Sequence, residues 1–424
     1  NGGKLPINFQ KLSFTGQFIP GNALIHLKAQ AKHIGSLKLD GTLPLKISLT
    51  GIHPNRSSKI NLQTNLKIYS LSFLPTILNK TDVITQGELT SDILIKGTVN
   101  NPVLSGAISG KNLRVALPNT GLTLEHGTFD TRISGNELYI HDLDFDSSKG
   151  HIAAQGPIIF GNRINAALNF TFTHIPIFDI PKQRIIVSGN TLLKLSGKNV
   201  QVTGKLVADS GKITLENLAT PSLGPDVVII GKKVPRLQKS PPLPVNLDIL
   251  FDLGKDFTLQ GHGIRTRLIG HLQIHSKAGS PIQLFGTIHS LDGTYAAYGQ
   301  NLSISKGDIT FHGPTNDPAL NISAIRKNLQ VQAGVAITGS AQHPVIRLIS
   351  TPEVSDSEKL SWLVLGHGLS SANSNDMGTL GLAAAQLLTS GAAMPLGKNI
   401  ANFVGLNQLS VSGTGNLQTT VINL

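Results

Sequence analysis

The chain has 424 residues, with 36 Lys and Arg against 24 Asp and Glu for a formal charge of +12, and it is 40% hydrophobic, 5% aromatic and free of cysteine. That apolar content excludes a disordered chain, and the lack of cysteine excludes disulfide staples and thiolate metal sites. The positive balance points to anionic company or to a solvated basic surface; few aromatics and no long Lys/Arg run argue against nucleic acid.

The chain opens at Asn1 without a basic or apolar leader-like stretch and reads as a fragment of a longer protein. Period-two alternation starts at once. Ile25, Leu27, Ala29 and Ala31 share one strand face, followed by Leu43, Leu45, Ile47 and Leu49 and then by Ile60, Leu62, Leu66 and Ile68. Gly21-Asn22 and Asp40-Gly41 read as turns between these runs. Leu71 to Asn79, interrupted by Pro75, reads as a loop or a single helical turn. Strands return over 83–174, with turns at Gly135-Asn136 and Gly161-Asn162 and a clean alternation through Ile164, Ala166, Leu168, Phe170 and Phe172. A further series runs from Leu193 to Leu215. Together 1–216 form the N-terminal part of an elongated sheet.

Residues 217–244 hold Pro221, Pro225, Pro235, Pro241, Pro242 and Pro244 among Lys232, Lys233, Arg236 and Lys239. This proline-rich basic loop is too long for a hairpin and reads as a mobile excursion, with the sheet resuming through Val245, Leu247, Ile249 and Phe251. Across 245–354 the alternation is densest. Leu268, Leu272, Ile282, Leu284, Leu302, Ile304, Ile309, Phe311, Leu320, Ile322, Leu329, Val331, Val335 and Ile337 are expected to line one continuous apolar surface. Asp292-Gly293 and Lys306-Gly307-Asp308 read as hairpin turns within it.

Helical patterning enters only at 355–398. Ser355 to Glu358 has the spacing of a capping box, and Leu360, Leu363 and Val364 fall on one helical face, which predicts a helix over 356–366 ended by Gly366 and Gly368. A second, small-residue helix is expected over 376–390. The uncharged stretch from Met377 to Gly397 is too rich in Gly and polar residues to read as a membrane span. Residues 399–424 return to strands.

No catalytic constellation is legible. His262, His271, His275 and His289 lack partners at matching spacing and read as surface histidines. Gly106 to Lys111 is one residue short of a phosphate loop, and Asn112 stands where a Ser or Thr would hold magnesium. Asp248, Asp252 and Asp256 read as a strand end, and no Gly-x-Ser-x-Gly elbow is present. The expectation is a protein that is not an enzyme and binds no metal or cofactor.

The fold class is therefore all-β, a long and mostly antiparallel sheet with one apolar face and very few helices to cover it. A sandwich, a parallel β-helix or an open curled groove could solve that problem. Hairpin turns and the lack of fixed-length repeats disfavour the β-helix. Scarce aromatics favour the groove over the sandwich. At about 25 cal/mol per Å2 of apolar area buried, a long groove gains tens of kcal/mol by being filled, and an aliphatic lining suits acyl chains.

Particular motifs sharpen this. Gly286-Thr287-Ile288, Asp292-Gly293-Thr294-Tyr295, Gly307 through Pro314, Asp317-Pro318-Ala319-Leu320-Asn321-Ile322, Ala324-Ile325-Arg326, His343-Pro344 and Glu358 through Gly366 stand in one ordered series. From about Asp248 to Gly405 the chain resembles the C-terminal region of the TamB family; residues 1–247 carry only the general strand rhythm. The resemblance implies a curled, taco-like β-sheet whose hydrophobic groove carries phospholipid acyl chains across the periplasm of a Gram-negative bacterium. It also implies outer-membrane protein assembly with a TamA-like barrel partner, an inner-membrane anchor ahead of Asn1, and further strands after Gly405–Leu409, so that the contact with that partner could lie outside this chain. A second function class, a periplasmic scaffold that offers strand edges to outer-membrane proteins, stays open at this point. A surface adhesin is a distant third.

Overall fold

The structure, a computed structural model, describes residues 9–48, 51–54, 57–77, 82–215, 245–389, 410–412 and 421–423. The proline-rich loop expected at 217–244 lies outside the described residues, as do most of the expected terminal strands.

The chain begins with β1 (Phe9–Ile19), β2 (Asn22–Ala31), β3 (Gly35–Leu43), the short pair β4 (Leu45–Ser48) and β5 (Gly51–Pro54), and β6 (Asn61–Ile68). One helical turn, α1 (Leu74–Ile77), stands where the alternation breaks at Pro75. Then follow β7 (Ile84–Gly97), β8 (Pro102–Leu117), β9 (Leu122–Gly135), β10 (Glu137–Asp146), β11 (His151–Ile159), β12 (Asn165–Ile180), β13 (Gln183–Ser196) and β14 (Asn199–Thr214). Beyond residue 244 come β15 (Val245–Asp252), β16 (Phe257–Gly261), β17 (Ile264–Ser276), β18 (Gln283–Ala297), β19 (Gln300–Pro314), β20 (Ala319–Ile325), β21 (Gln332–Ser340) and β22 (Pro344–Thr351). The helices α2 (Asp356–Val364) and α3 (Ser374–Thr389) and the short strands β23 (Ser410–Ser412) and β24 (Val421–Asn423) complete the order.

Twenty of these strands join in one hydrogen-bonded sheet, while β4–β5 and β23–β24 form separate two-stranded pairs. Neighbours in the sheet are antiparallel with one described exception, β14 and β16, which run parallel from Gly211↔Phe257 to Thr214↔Gln260. By internal contacts the chain divides into two units. The first is Asn1–Asp209 with Pro244–Ile249; the second is Ser210–Leu243 with Leu250–Leu424.

In the first unit the register keeps apolar residues on one face strand after strand. Residues directly opposed in a ladder share a face. One unbroken row passes from Phe14 through Leu27, Leu39, Thr64, Ile93, Gly106, Ile133, Leu138, Ile158 and Ala166 to Leu195. The opposite face carries cross-strand polar pairs such as His26 with Asp40 at 2.7 Å and Thr90 with Ser109 at 2.9 Å.

Several expected turns proved to be strand interiors. Asp40-Gly41 lies inside β3, Asp292-Gly293 inside β18 and Lys306-Gly307-Asp308 inside β19. The physical reason is that glycine and a positive φ serve bulges and bends as well as hairpins. Gly41 has φ +149°, and a Cβ there would stand 2.0 Å from the Asn61 carbonyl oxygen. Gly106 has φ +146° and a matching clash with the Asp92 oxygen at 2.0 Å. Both let a neighbouring backbone approach the apolar face and kink the sheet there. Asp292, at φ 50°, is the extra residue of a bulge, because Arg267 opposes Leu291 while Arg265 opposes Thr294. The hairpin between β18 and β19 is made instead at Tyr298-Gly299.

Candidate functional site: the apolar face

In the second unit the ladders bring most of the expected lining residues onto one face. Ile309 opposes Leu320, Ile322 opposes Ile337, and Ile304 shares a row with Ala324, Val335 and Leu348. Phe311 faces Gly286, and Leu302 faces Tyr295. Leu284 opposes Ile274, and Leu268 and Leu272 stand on the same face of β17, each two residues from Gly270, with Leu272 also two from Ile274. A bulge between Ile304 and Lys306 shifts the phase of β19 by one residue. That is why Leu302 and Ile304 are even-numbered and Ile309 and Phe311 odd-numbered on a single face.

Three residues fall outside this ladder. Ile282 precedes β18 and is 50% exposed. Leu329 and Val331 lie in the bend between β20 and β21, so alternation does not place them. A run that looks like strand in one dimension is here a turn between two strands.

The sequence missed how the far end of this face is covered. Its roof is the helix pair. Leu302 and Ala333 are 0% exposed and Val335 1%, packed in one cluster with Leu360, Leu363, Leu380, Ala383 and Ala384 of α2 and α3. The 3.6 periodicity that placed Leu360, Leu363 and Val364 on one helical face also aims them at this floor. Tyr295 packs against the cluster, and burial pushes its hydroxyl pKa up from the ordinary 10.0 by disfavouring the phenolate. The expected capping box forms by half. Ser355 Oγ accepts from the Glu358 N–H at 3.4 Å, whereas the Glu358 carboxylate accepts from the Leu369 N–H at 3.2 and 3.3 Å. Arg326 Nη1 donates to the carbonyls of Leu363 and Val364 at 3.0 Å each, and Gln300 Nε2 donates to Val364 at 2.9 Å.

In the first unit the corresponding face is more open. Leu12, Phe14 and Phe18 of β1 are 63, 65 and 54% exposed. Farther along, Ile133, Leu138 and Ile140 form a buried cluster with Ile93, Leu104, Ile158 and Leu168 around them. Large exposed apolar residues gathered on one face mark a surface that binds something apolar.

The polar motifs sort differently. Gly106 to Lys111 lies within β8, so no phosphate loop forms there. Asp252 accepts from the Gly254 N–H at 2.9 Å, the strand-end turn its sequence suggests. Among the described residues one group offers carboxylate and imidazole atoms within reach of a shared cation, Asp144, Asp146 and His151, whose ligand atoms lie within 4.8 Å of one another. His151 is already held between the two carboxylates, at 3.0 Å from Asp144 and 3.5 Å from Asp146, and His126 lies 3.7 Å from Asp146. Burial raises the Asp144 pKa above the ordinary 3.8, against the lowering effect of His151. The period-two series Asp142, Asp144, Asp146 and a histidine just past the turn were the sequence signal for this cluster.

The fold and its surface define a class, a long, mostly antiparallel β-sheet protein with an apolar face within each of its two units. The profile of the TamB C-terminal domain matches residues 141–423, and the chain belongs to the TamB family. The match begins well before the segment whose motifs carry the resemblance. The chain is 27% identical over 354 residues to the translocation and assembly module subunit TamB of Haemophilus influenzae (strain ATCC 51907 / DSM 11121 / KW20 / Rd), an alignment covering 78% of this chain and 27% of that relative. It thus spans about a quarter of the length of the curated relative it matches. No helix among the described residues is long and apolar enough to cross a membrane.

Proposed function

We propose that the chain is a segment of a passive conduit along whose apolar face phospholipid acyl chains move between the inner and outer membranes. The observation that carries this reading is the register. Within each unit apolar side chains stand mainly opposite apolar side chains or glycine from one strand to the next, with Thr64 and Ser91 as hydroxyl exceptions, while the other face carries His–Asp and hydroxyl pairs. Acyl chains require a surface without hydrogen-bonding groups and are held in proportion to the area they cover. Lipid movement along such a face needs no nucleophile, acid or base, so the chain acts without catalysis, metal or cofactor. The name of the relative places that protein in a translocation and assembly module. For this chain we infer the same setting: a periplasmic stretch of an inner-membrane-anchored protein that works with a TamA-like outer-membrane barrel and supports assembly of outer-membrane proteins.

The test is site-specific photocrosslinking in cells. A photoreactive phenylalanine analogue at Ile309 or at Leu27, both on the apolar face, is expected to yield phospholipid adducts by mass spectrometry. The same analogue at Asp308 or Lys28, on the polar face, is expected to yield none. Equal labelling of the two faces would refute the conduit.

A further inference from the structure

On β19 and β20 the apolar face is one surface by register, yet only part of it is roofed. Leu302 and Ala324 are 0 and 1% exposed under α2 and α3. Ile309 and Ile322, on the same two strands, remain half-buried. Roof and floor meet through aliphatic side chains, chiefly Leu360 and Leu363 above. The hydrogen bonds from the sheet side to the roof sit at its margin, where Arg326 and Gln300 donate to the Leu363 and Val364 carbonyls at 2.9 to 3.0 Å. Those carbonyls belong to the last turn of α2, which a helix leaves without internal partners, so water can take over if the latch opens. An aliphatic helix face and an acyl chain offer the floor the same chemistry, since neither hydrogen-bonds and each is held by the area it covers. The floor does not depend on the roof for its ladders, which run from β19 through β22 by backbone pairing. The outward side of α3 carries Asn375, Gly378, Thr379 and a 61% exposed Leu382, so it already faces water and holds the helix in place by no packing of its own.

We infer that the α2–α3 pair is a displaceable stopper, occupying the apolar face in place of an acyl chain and latched by Arg326 and Gln300. This rests on the conduit reading above and adds to it a regulated end. Lipid arriving over Ile309 and Ile322 competes with the helices for the floor under them, and the latch sets how readily it wins.

The test combines hydrogen exchange with crosslinking on the 424-residue chain, carrying the photoreactive analogue at Ile309 and mixed with vesicles of phosphatidylethanolamine and phosphatidylglycerol. Vesicles are expected to produce lipid adducts at Ile309 and to speed exchange of the α2 amides about tenfold or more, while β20 and β21 stay protected. Arg326→Ala and Gln300→Ala are expected to speed α2 exchange before lipid is added, by about tenfold for the charged donor and less for the amide, and to raise the adduct yield. Arg347→Ala, an exposed cation on the opposite face of β22, is expected to do neither. If Arg326→Ala also loosens β20 and β21, Gln300→Ala decides. Adducts at Ile309 with α2 protection unchanged by vesicles overturn the stopper and leave the conduit standing. No adduct in any variant removes the conduit and the stopper with it.

Discussion

Strands β19 and β20 each pass through two environments. At one end Leu302 and Ala324 lie under helices and are almost wholly buried; at the other Ile309, Phe311, Leu320 and Ile322 share the same face and stay half-buried. The side chains are of one kind and their alternation is the same. What differs is the cover, a close-packed helix pair in one section and none among the described residues in the other. A buried section resists any change of volume or polarity, whereas an open section tolerates change in the free protein and shows its cost only when a ligand arrives.

The largest expected effect breaks the comparison at its buried end. Val335→Asp puts an unpaired carboxylate among side chains that exclude water, at a cost of about 4 kcal/mol in denaturant unfolding of the second unit. Ile309→Asp, in the open section, is expected to cost about 1 kcal/mol, since its carboxylate can reach water. Equal losses would mean that the two sections do not differ in burial.

Next come the kinks of the first unit. Gly106→Ala forces a Cβ to within 2.0 Å of the Asp92 oxygen at a φ of +146°, at an expected cost of about 2 kcal/mol. Gly16 also stands on the apolar face, yet its Cβ would find nothing nearer than 3.7 Å, so Gly16→Ala should change the unfolding midpoint hardly at all. A neutral Gly106→Ala would show that the bend is not set by that close approach.

A smaller effect tests use of the open section. Ile322→Asp is expected to cut lipid adducts at Ile309 about tenfold, a penalty of about 1.4 kcal/mol for acyl chains passing a charge. Asn321→Asp, on the polar face one residue away, should leave the yield unchanged. A scaffold that works through strand edges would respond to neither, because backbone groups carry that interaction.

The smallest effect concerns pH. The Asp144 pKa is raised in the fold, chiefly by burial. A carboxylate whose folded pKa exceeds its unfolded value binds protons more tightly when folded. Its contribution is complete below the unfolded value of 3.8 and is lost as pH rises through the raised folded value. Asp144→Asn should therefore reduce the fall in first-unit stability from about pH 4 to pH 7, read from urea midpoints. An unchanged slope would place the pH dependence elsewhere.

Much of this was legible in one dimension. Period-two alternation identified the all-β class and the face shared by Leu284, Leu302, Ile304, Ile309, Phe311, Leu320, Ile322, Val335 and Ile337, because side-chain direction along a strand is a local property. The helix at 356–364 was equally plain from its N-cap serine and the spacing of Leu360, Leu363 and Val364. Glycines were less informative. Gly41, Gly293 and Gly307 read as turns but serve bends and bulges inside strands, since the residue that closes a hairpin also permits a close backbone approach. The strand state of Leu329 and Val331 was misjudged because an apolar pair in a bend has the same local pattern as one in a ladder.

What the sequence determined by itself is the material of the surface: aliphatic residues on one face, ion pairs on the other, and a short amphipathic helix near the end. What the tertiary structure alone decided is which part of that surface is available. The seat of α2 and α3 over Leu302 and Val335 depends on contacts between residues far apart in the chain and on Arg326 meeting the end of α2. No local pattern records such a meeting. Alternation fixes the direction of a side chain relative to its own strand, whereas cover is set by how a distant element packs against it.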